Sequence, residues 1–269
     1  MIVLDDRWGF KLYKARVPCA PLARPLRLLH LSDMHLLVRD RAKQRFIRRI
    51  TDDDYDLVFL TGDIAEEPEA EPLVPGLLSR IPKYGAFAVL GNHDHHRLTA
   101  RQGWTEFFTG RSVPDAPDSD GTLTKSRVEE GDRWRVLMNE AVAIDVGGQR
   151  VVVAGVDDPY TGHGDLQATM RDVKKADVLL GLVHVPTDMA SFAQRGFHAI
   201  FCGHTHGGQW RLPFIGAVMT QCDLPAKYAR GLHHVERTAV HVSQGLGAGR
   251  VVRMRFNCPP AAYDIRLGG

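Results

Sequence analysis

The chain has 269 residues, with 34 Lys and Arg against 32 Asp and Glu, and 44% of its residues are hydrophobic. That balance excludes a disordered chain and argues against a dedicated nucleic-acid binder, although residues 1–50 hold 12 Lys and Arg against 4 Asp, a net +8. No run approaches the ~18 apolar residues of a spanning helix. The N-terminus lacks a secretory pattern, and the four scattered cysteines contain no CxxC pair, so the expected location is cytoplasmic.

Apolar runs of strand length recur at 26–31, 57–60, 86–90, 151–156, 178–183 and 199–202. Helix-compatible stretches lie at 40–50, at 69–79 (weakened by Pro72 and Pro75) and at 165–175. Strands alternating with helices predict an α/β protein with a central sheet. Residues 135–138, 141–146 and 149–156 read instead as three neighbouring strands, with Gly147-Gly148 as a hairpin turn, and 228–267 reads as strands without helices. The mixture predicts two packed sheets with helices outside, in a single domain spanning 1–269. Residues 110–131, rich in Pro, Asp, Ser and Gly, read as a long surface loop. A second irregular stretch, 207–227, carries Trp210, Phe214 and Ile215.

Five segments concentrate metal-ligand side chains, each just after a predicted strand: Ser32-Asp33-Met34-His35, Thr61-Gly62-Asp63, Gly91-Asn92-His93-Asp94, Val183-His184-Val185-Pro186 and Gly203-His204-Thr205-His206-Gly207-Gly208. The carboxyl ends of strands are where α/β sheets gather their sites. Carboxylate, imidazole and amide oxygen together suit Mn, Fe, Zn or Ni rather than an all-oxygen calcium cage or an all-thiolate zinc knot. Asp33, His35, Asp63, Asn92, His184, His204 and His206 make seven donors, enough for two ions if one carboxylate bridges. A metal pair ~4 Å apart activates a water and holds both ends of a phosphoryl displacement. Taken singly, each segment has a plain structural reading: His184 as a core histidine, GNHD as a turn. Two histidines set between glycines in GHTHGG are harder to explain that way, and the ordered set of five does not arise by chance.

This ordered set (DxH, GD, GNHD, H, GHTH) resembles the calcineurin-like metallophosphoesterase superfamily. The longer context (HLSDMH, FLTGDI, AVLGNHD, LVHVP, CGHTHGGQWRLP) is similar to the branch of YkuE-type phosphodiesterases and UDP-diacylglucosamine pyrophosphatases. The resemblance covers about 26–267. It implies a four-layer αββα sandwich, two mixed sheets flanked by helices, and two divalent ions, with Mn favoured. By position, Asp33, His35, Asp63 and His206 would hold one ion; Asp63, Asn92, His184 and His204 would hold the other. His93 would serve the leaving group, with Asp94 orienting it. Asp158 sits at a family-like position, either at the site edge or as a loop cap. His95-His96, where an aromatic is more usual, read as solvated residues.

The implied activity is hydrolysis of a phosphodiester or pyrophosphate, with a lipid-linked pyrophosphate such as a UDP-diacylglucosamine-like substrate as the alternative. A non-catalytic scaffold is disfavoured because all seven ligands and His93 are present, and no nucleic-acid partner is expected. The basic first 50 residues and the Trp210, Leu212, Phe214 and Ile215 stretch raise a peripheral contact with an anionic inner membrane face. The competing reading is a solvated helix face and a loop packed on the fold.

Overall fold

The computed structural model describes residues 2–5, 9–96, 120–171, 173, 175–218, 220, 222, 225–248 and 254–269. In chain order the elements are β1 (Ile2–Asp5), β2 (Lys11–Val17), β3 (Leu26–Ser32), α1 (Arg41–Ile50), β4 (Leu57–Thr61), β5 (Ala86–Val89) and the one-turn α2 (Asn92–His95). There follow α3 (Thr122–Val128), β6 (Arg135–Val136), β7 (Glu140–Val146), β8 (Gln149–Gly155), α4 (Leu166–Met170), β9 (Val178–Leu182), α5 (Met189–Gln194) and β10 (Ala199–Cys202). Short strands β11 (Arg211–Leu212) and β12 (Gly216–Ala217) precede β13 (Gly231–Val235), β14 (Thr238–Val242) and β15 (Ala261–Leu267).

Two mixed sheets carry the fold, in the orders β1-β2-β15-β3-β4-β5-β6 and β13-β14-β10-β9-β8-β7. Alternation along each strand sorts its residues onto two faces, and the apolar core accordingly divides into three clusters. Leu28, Phe59, Val153, Leu180 and Phe201 pack between the sheets. Leu29, Leu31 and Leu60 pack outward against Phe46, Ile47 and Ile50 of α1. On the far side, Val152, Leu179 and Ile200 pack against Met189 and Phe192 of α5. Three interleaved cores mean four layers, which is the αββα sandwich.

Helix α1 has one apolar face at Phe46, Ile47 and Ile50, and Arg48 and Arg49 in its last turn suit the negative end of the helix dipole. Strands β3, β4 and β5 run parallel, as do β8, β9, β10 and β14. Their carboxyl ends therefore deliver the loops at 33–36, 62–66, 90–94, 183–186 and 203–208 to one edge of the sandwich.

Several local expectations differ. Strand β2 was not legible because its outer face is charged (Lys14 and Arg16 exposed), which hides the alternation of Tyr13, Ala15 and Val17. Residues 69–79 form tight 3-10 turns, Pro68–Leu73 and Pro75–Leu77, because proline lacks the N–H an α-helix needs. The helix expected over 165–175 is the shorter α4. The three strands expected together are split between sheets: β6 pairs parallel with β5, while β7 and β8 form a hairpin in the other sheet. The long loop expected over 110–131 is helical in part, because Thr124 and Val128, one turn apart, bury themselves on α3. Its residues 110–119 lie outside the described residues.

Candidate metal centre

The seven expected ligands are all buried and come together at the carboxyl edge of the two sheets. Asp33, His35, Asp63 and His206 each offer a donor atom, and these four atoms lie within 4.8 Å of one another. Asp63 is the hub. Its Oδ2 lies 3.2 Å from His35 Nε2, its Oδ1 lies 3.4 Å from His184 Nε2, and the same Oδ1 accepts the His93 backbone N–H at 3.0 Å. His204 Nδ1 meets Asn92 Oδ1 at 3.2 Å, and the rings of His184 and His204 stand 5.2 Å apart. In the second expected set Asp63 thus reaches His184 and Asn92 reaches His204, but these donors do not draw together as closely as the first four.

The backbone is bent to bring these side chains inward. Asp33, His35, Asp63, His204 and His206 all have positive φ, between 39° and 68°. For a non-glycine residue this left-handed conformation costs about 1 kcal/mol or more, and such residues cluster where function demands them. Glycines permit the close approach. A Cβ on Gly62 would strike the His184 ring, and one on Gly203 would strike Ser32 Oγ.

Hydrogen bonds fix which imidazole nitrogen faces the centre. His35 Nδ1 pairs with Glu66 Oε2 at 2.8 Å and His184 Nδ1 donates to the Thr61 carbonyl at 2.8 Å. Each Nε2 is then turned toward Asp63, buried and without a hydrogen-bond partner. A carboxylate or carbonyl behind the ring is how a protein aims a metal-binding imidazole. Burial alone would depress both imidazoles. Asp63 and Glu66 outweigh it for His35, and Asp63, Asp33 and Asp158 outweigh it for His184; both pKa values stand at about 10. Burial would raise the Asp63 carboxyl, but His184, His93 and His35 hold it well below the usual range. His206 is the least prepared ligand: Arg255, which can only donate, sits 3.2 Å from its Nδ1, so its Nε2 must shed a proton before binding an ion.

These donors fit divalent ions of the Mn, Fe, Zn or Ni type. A family model for calcineurin-like phosphoesterases matches residues 26–208, which hold every one of these ligands. The chain belongs to the calcineurin-like phosphoesterase family. It is a metal-dependent phosphoric ester hydrolase. Among curated proteins it is similar to the metallophosphoesterase YkoQ of Bacillus subtilis, at 27% identity over 84% of this chain and 78% of that one. It is similar to YkuE of the same organism at 25% identity over 86% and 73%, and to the phosphodiesterase YaeI of Escherichia coli at 27% over 49% and 47%.

In this phosphoesterase His93 is partly exposed, its ring 5.0 Å from that of His35, and its ring nitrogens make no hydrogen bond among the described residues. Asp94 is attached differently from expectation. Its two oxygens accept the N–H groups of Gly91 and Ile64, at 2.8 and 2.9 Å, so it clamps two ligand loops together and reaches His93 only through the backbone. Asp158 takes the loop-cap role: its Oδ2 accepts the Thr161 N–H at 2.8 Å, while its Oδ1 is buried without a hydrogen-bond partner. His95 is not solvated as expected: it is fully buried, pairs with Asp157 at 2.8 Å and stacks on His163 at 4.1 Å. Glu66 escaped the sequence reading because nothing in GDIAEE marks which acid turns back toward His35.

Proposed function

We propose that this phosphoesterase holds two ions, Mn in preference, and hydrolyses a phosphodiester or pyrophosphate. The observation that carries this reading is Asp63, whose two oxygens face two different imidazole nitrogens, His35 Nε2 at 3.2 Å and His184 Nε2 at 3.4 Å. That is the arrangement of a bridging carboxylate. Asp33, His35 and His206 would complete one site; Asn92, His184 and His204 would complete the other. Bound ions supply an acidified water as nucleophile and neutralise the phosphoryl oxygens.

The chain itself supplies the rest. His93, anchored through its backbone to Asp63, stands beside the centre, its ring nitrogens without a hydrogen bond among the described residues, and protonates the departing oxygen. A cavity of about 350 Å³ opens next to His35, walled by Phe10, Leu37 and Leu246 with Lys43 and Arg255, and offers room for an organic group on one side of the phosphorus. Similarity to YaeI, a phosphodiesterase, supports a diester over a monoester.

A lipid-linked pyrophosphate is the second reading, favoured by one observation. Beyond His206, Phe214 is fully exposed, Ile215 is 71% exposed, and Trp210 and Leu212 are half-exposed, although this stretch is tied by hydrogen bonds to Met254 and Phe256. Such an exposed apolar crest, with Arg211 inside it, suits an anionic membrane surface. The test is a substrate panel on Mn-loaded protein: chromogenic monoester, chromogenic diester, cyclic nucleotide and nucleotide-sugar pyrophosphate, with and without anionic vesicles. Diester or pyrophosphate turnover exceeding monoester turnover supports the first reading. A vesicle-dependent gain, lost in Phe214→Ala, supports the second. Turnover of the monoester alone would overturn both.

A further inference from the structure

Two histidines lie in the apolar layer between the sheets, far from solvent and outside the ligand set. His30 on β3 is fully buried and His241 on β14 is 1% exposed. Their Nδ1 atoms meet at 3.0 Å, with Phe201 edge-on to His30 and Tyr263 edge-on to His241. Leucine or phenylalanine would fill this space without the cost of burying imidazoles. Burial keeps both rings neutral, His30 well below the ordinary histidine value and His241 pushed down to about 3.

From His30 a run of short contacts leads to the metal centre. His30 Nε2 meets Thr61 Oγ1 at 2.9 Å, Thr61 Oγ1 donates to Ser32 Oγ at 2.8 Å, and Ser32 Oγ donates to Asp33 Oδ2 at 2.5 Å. Proton inventory gives the run one direction. A hydroxyl has a single proton, so Thr61, which gives its own to Ser32, must accept from His30 Nε2–H. His30 Nδ1 is then an acceptor, and His241 Nδ1–H donates to it. In this direction His241 Nε2 at the tail of the run carries no proton, and it is buried without a hydrogen-bond partner.

The choice matters at Ser32. Its proton has a second acceptor in reach, the Thr61 carbonyl at 2.9 Å. A hydroxyl that receives a hydrogen bond donates more strongly, and a chain of such bonds polarises cooperatively. We propose that His241, His30, Thr61 and Ser32 form a positioning relay that spans the two sheets and holds the Ser32 proton on Asp33, fixing that carboxylate for its metal ion. The other Asp33 oxygen is already held by the His204 N–H at 2.8 Å. With both oxygens tied, the carboxylate has one orientation.

This inference rests on Asp33 being a ligand, which is checked separately. The full-length protein is stripped with a chelator and titrated with Mn(II) against a chromophoric competitor. Thr61→Val cuts the relay at its middle and is expected to weaken Mn(II) binding roughly 10- to 100-fold, the usual cost of losing a group behind a ligand. Thr61→Ser keeps the hydroxyl and is expected to restore binding, which a purely steric role would not do. His241→Phe removes the first donor while filling the space, and combined with Thr61→Val it should add nothing, since both break one chain. Should Thr61→Val not fold, His241→Phe and Ser32→Ala carry the test. If Asp33→Asn binds Mn(II) like the wild type, the ligand assignment is wrong. If Asp33→Asn loses an ion while folded Thr61→Val binds as the wild type does, the relay is wrong and the ligand assignment stands.

Discussion

The two ends of β3 solve the same electrostatic problem in opposite ways. At its amino end Arg27 donates to Asp264 through Nε at 3.2 Å and Nη2 at 2.9 Å, and Nη2 also meets Asp53 at 2.6 Å. Tyr55 lies under the guanidinium at 4.5 Å. Arg27, Asp53 and Asp264 find their partners in one another, and side-chain hydrogen bonds to Asp264 and Asp53 push the Arg27 pKa up further. At its carboxyl end Ser32 leads into Asp33, and the carboxylates there meet imidazoles whose facing nitrogens are unmatched. The first end is complete in itself. The second is complete only with cations from outside. Cavity size does not separate them: the groove at the amino end, lined by Lys14, Arg16, Arg27 and Arg266, has about 810 Å³ against 350 Å³ for the cavity beside His35. Unsatisfied donors, rather than volume, mark the chemistry.

The comparison breaks most visibly at its hub. Asp63→Asn removes the charge that faces both His35 and His184, and hydrolysis is expected to fall to background with loss of both ions. If Mn content and turnover survive that change, Asp63 is no bridge. His93→Ala comes next: the ions should stay bound while turnover drops about 10²- to 10⁴-fold, the range for a positioned acid. The loss should shrink for a nitrophenyl ester, whose leaving group needs little protonation. An equal loss on good and poor leaving groups would contradict the assigned role.

Acidity sharpens the contrast. His35 and His184 stand at about 10 in the fold against 6.5 unfolded, so their protonation stabilises the metal-free chain fully below pH 6.5. That contribution is lost as pH rises toward 10. Thermal unfolding of the metal-free protein should therefore move to lower temperature over this window. The Mn-loaded protein should lose less, because the ions replace the protons. Parallel curves for the two forms would count against cation-dependent neutralisation. The smallest effect belongs to the amino end. Asp264→Asn should cost about 1 kcal/mol, since Arg27 is partly solvated, and should leave Mn binding and turnover unchanged.

The layered fold was legible because strand-length apolar runs and helix periodicity repeat along the chain, and the candidate ligands stood out because each loop carries its own short signature. What escaped is what depends on pairing across the molecule. Nothing near His30 or His241 in the sequence tells that β3 and β14, over two hundred positions apart, face one another through these rings. Glu66 behind His35 and Arg255 beside His206 were invisible for the same reason. His95 was read as solvated because local polarity does not foretell that Asp157 and His163 will enclose it. Local signals name the donors; only tertiary packing names what stands behind them.

The central claim is that the carboxyl edge of the sandwich is a paired cation site built around Asp63. Elemental analysis of the protein saturated with Mn(II) and freed of unbound ion by gel filtration tests it directly. Two Mn per chain, falling to none or a trace in Asp63→Asn, is the expected result; one Mn or fewer in the wild-type protein after saturation would contradict it.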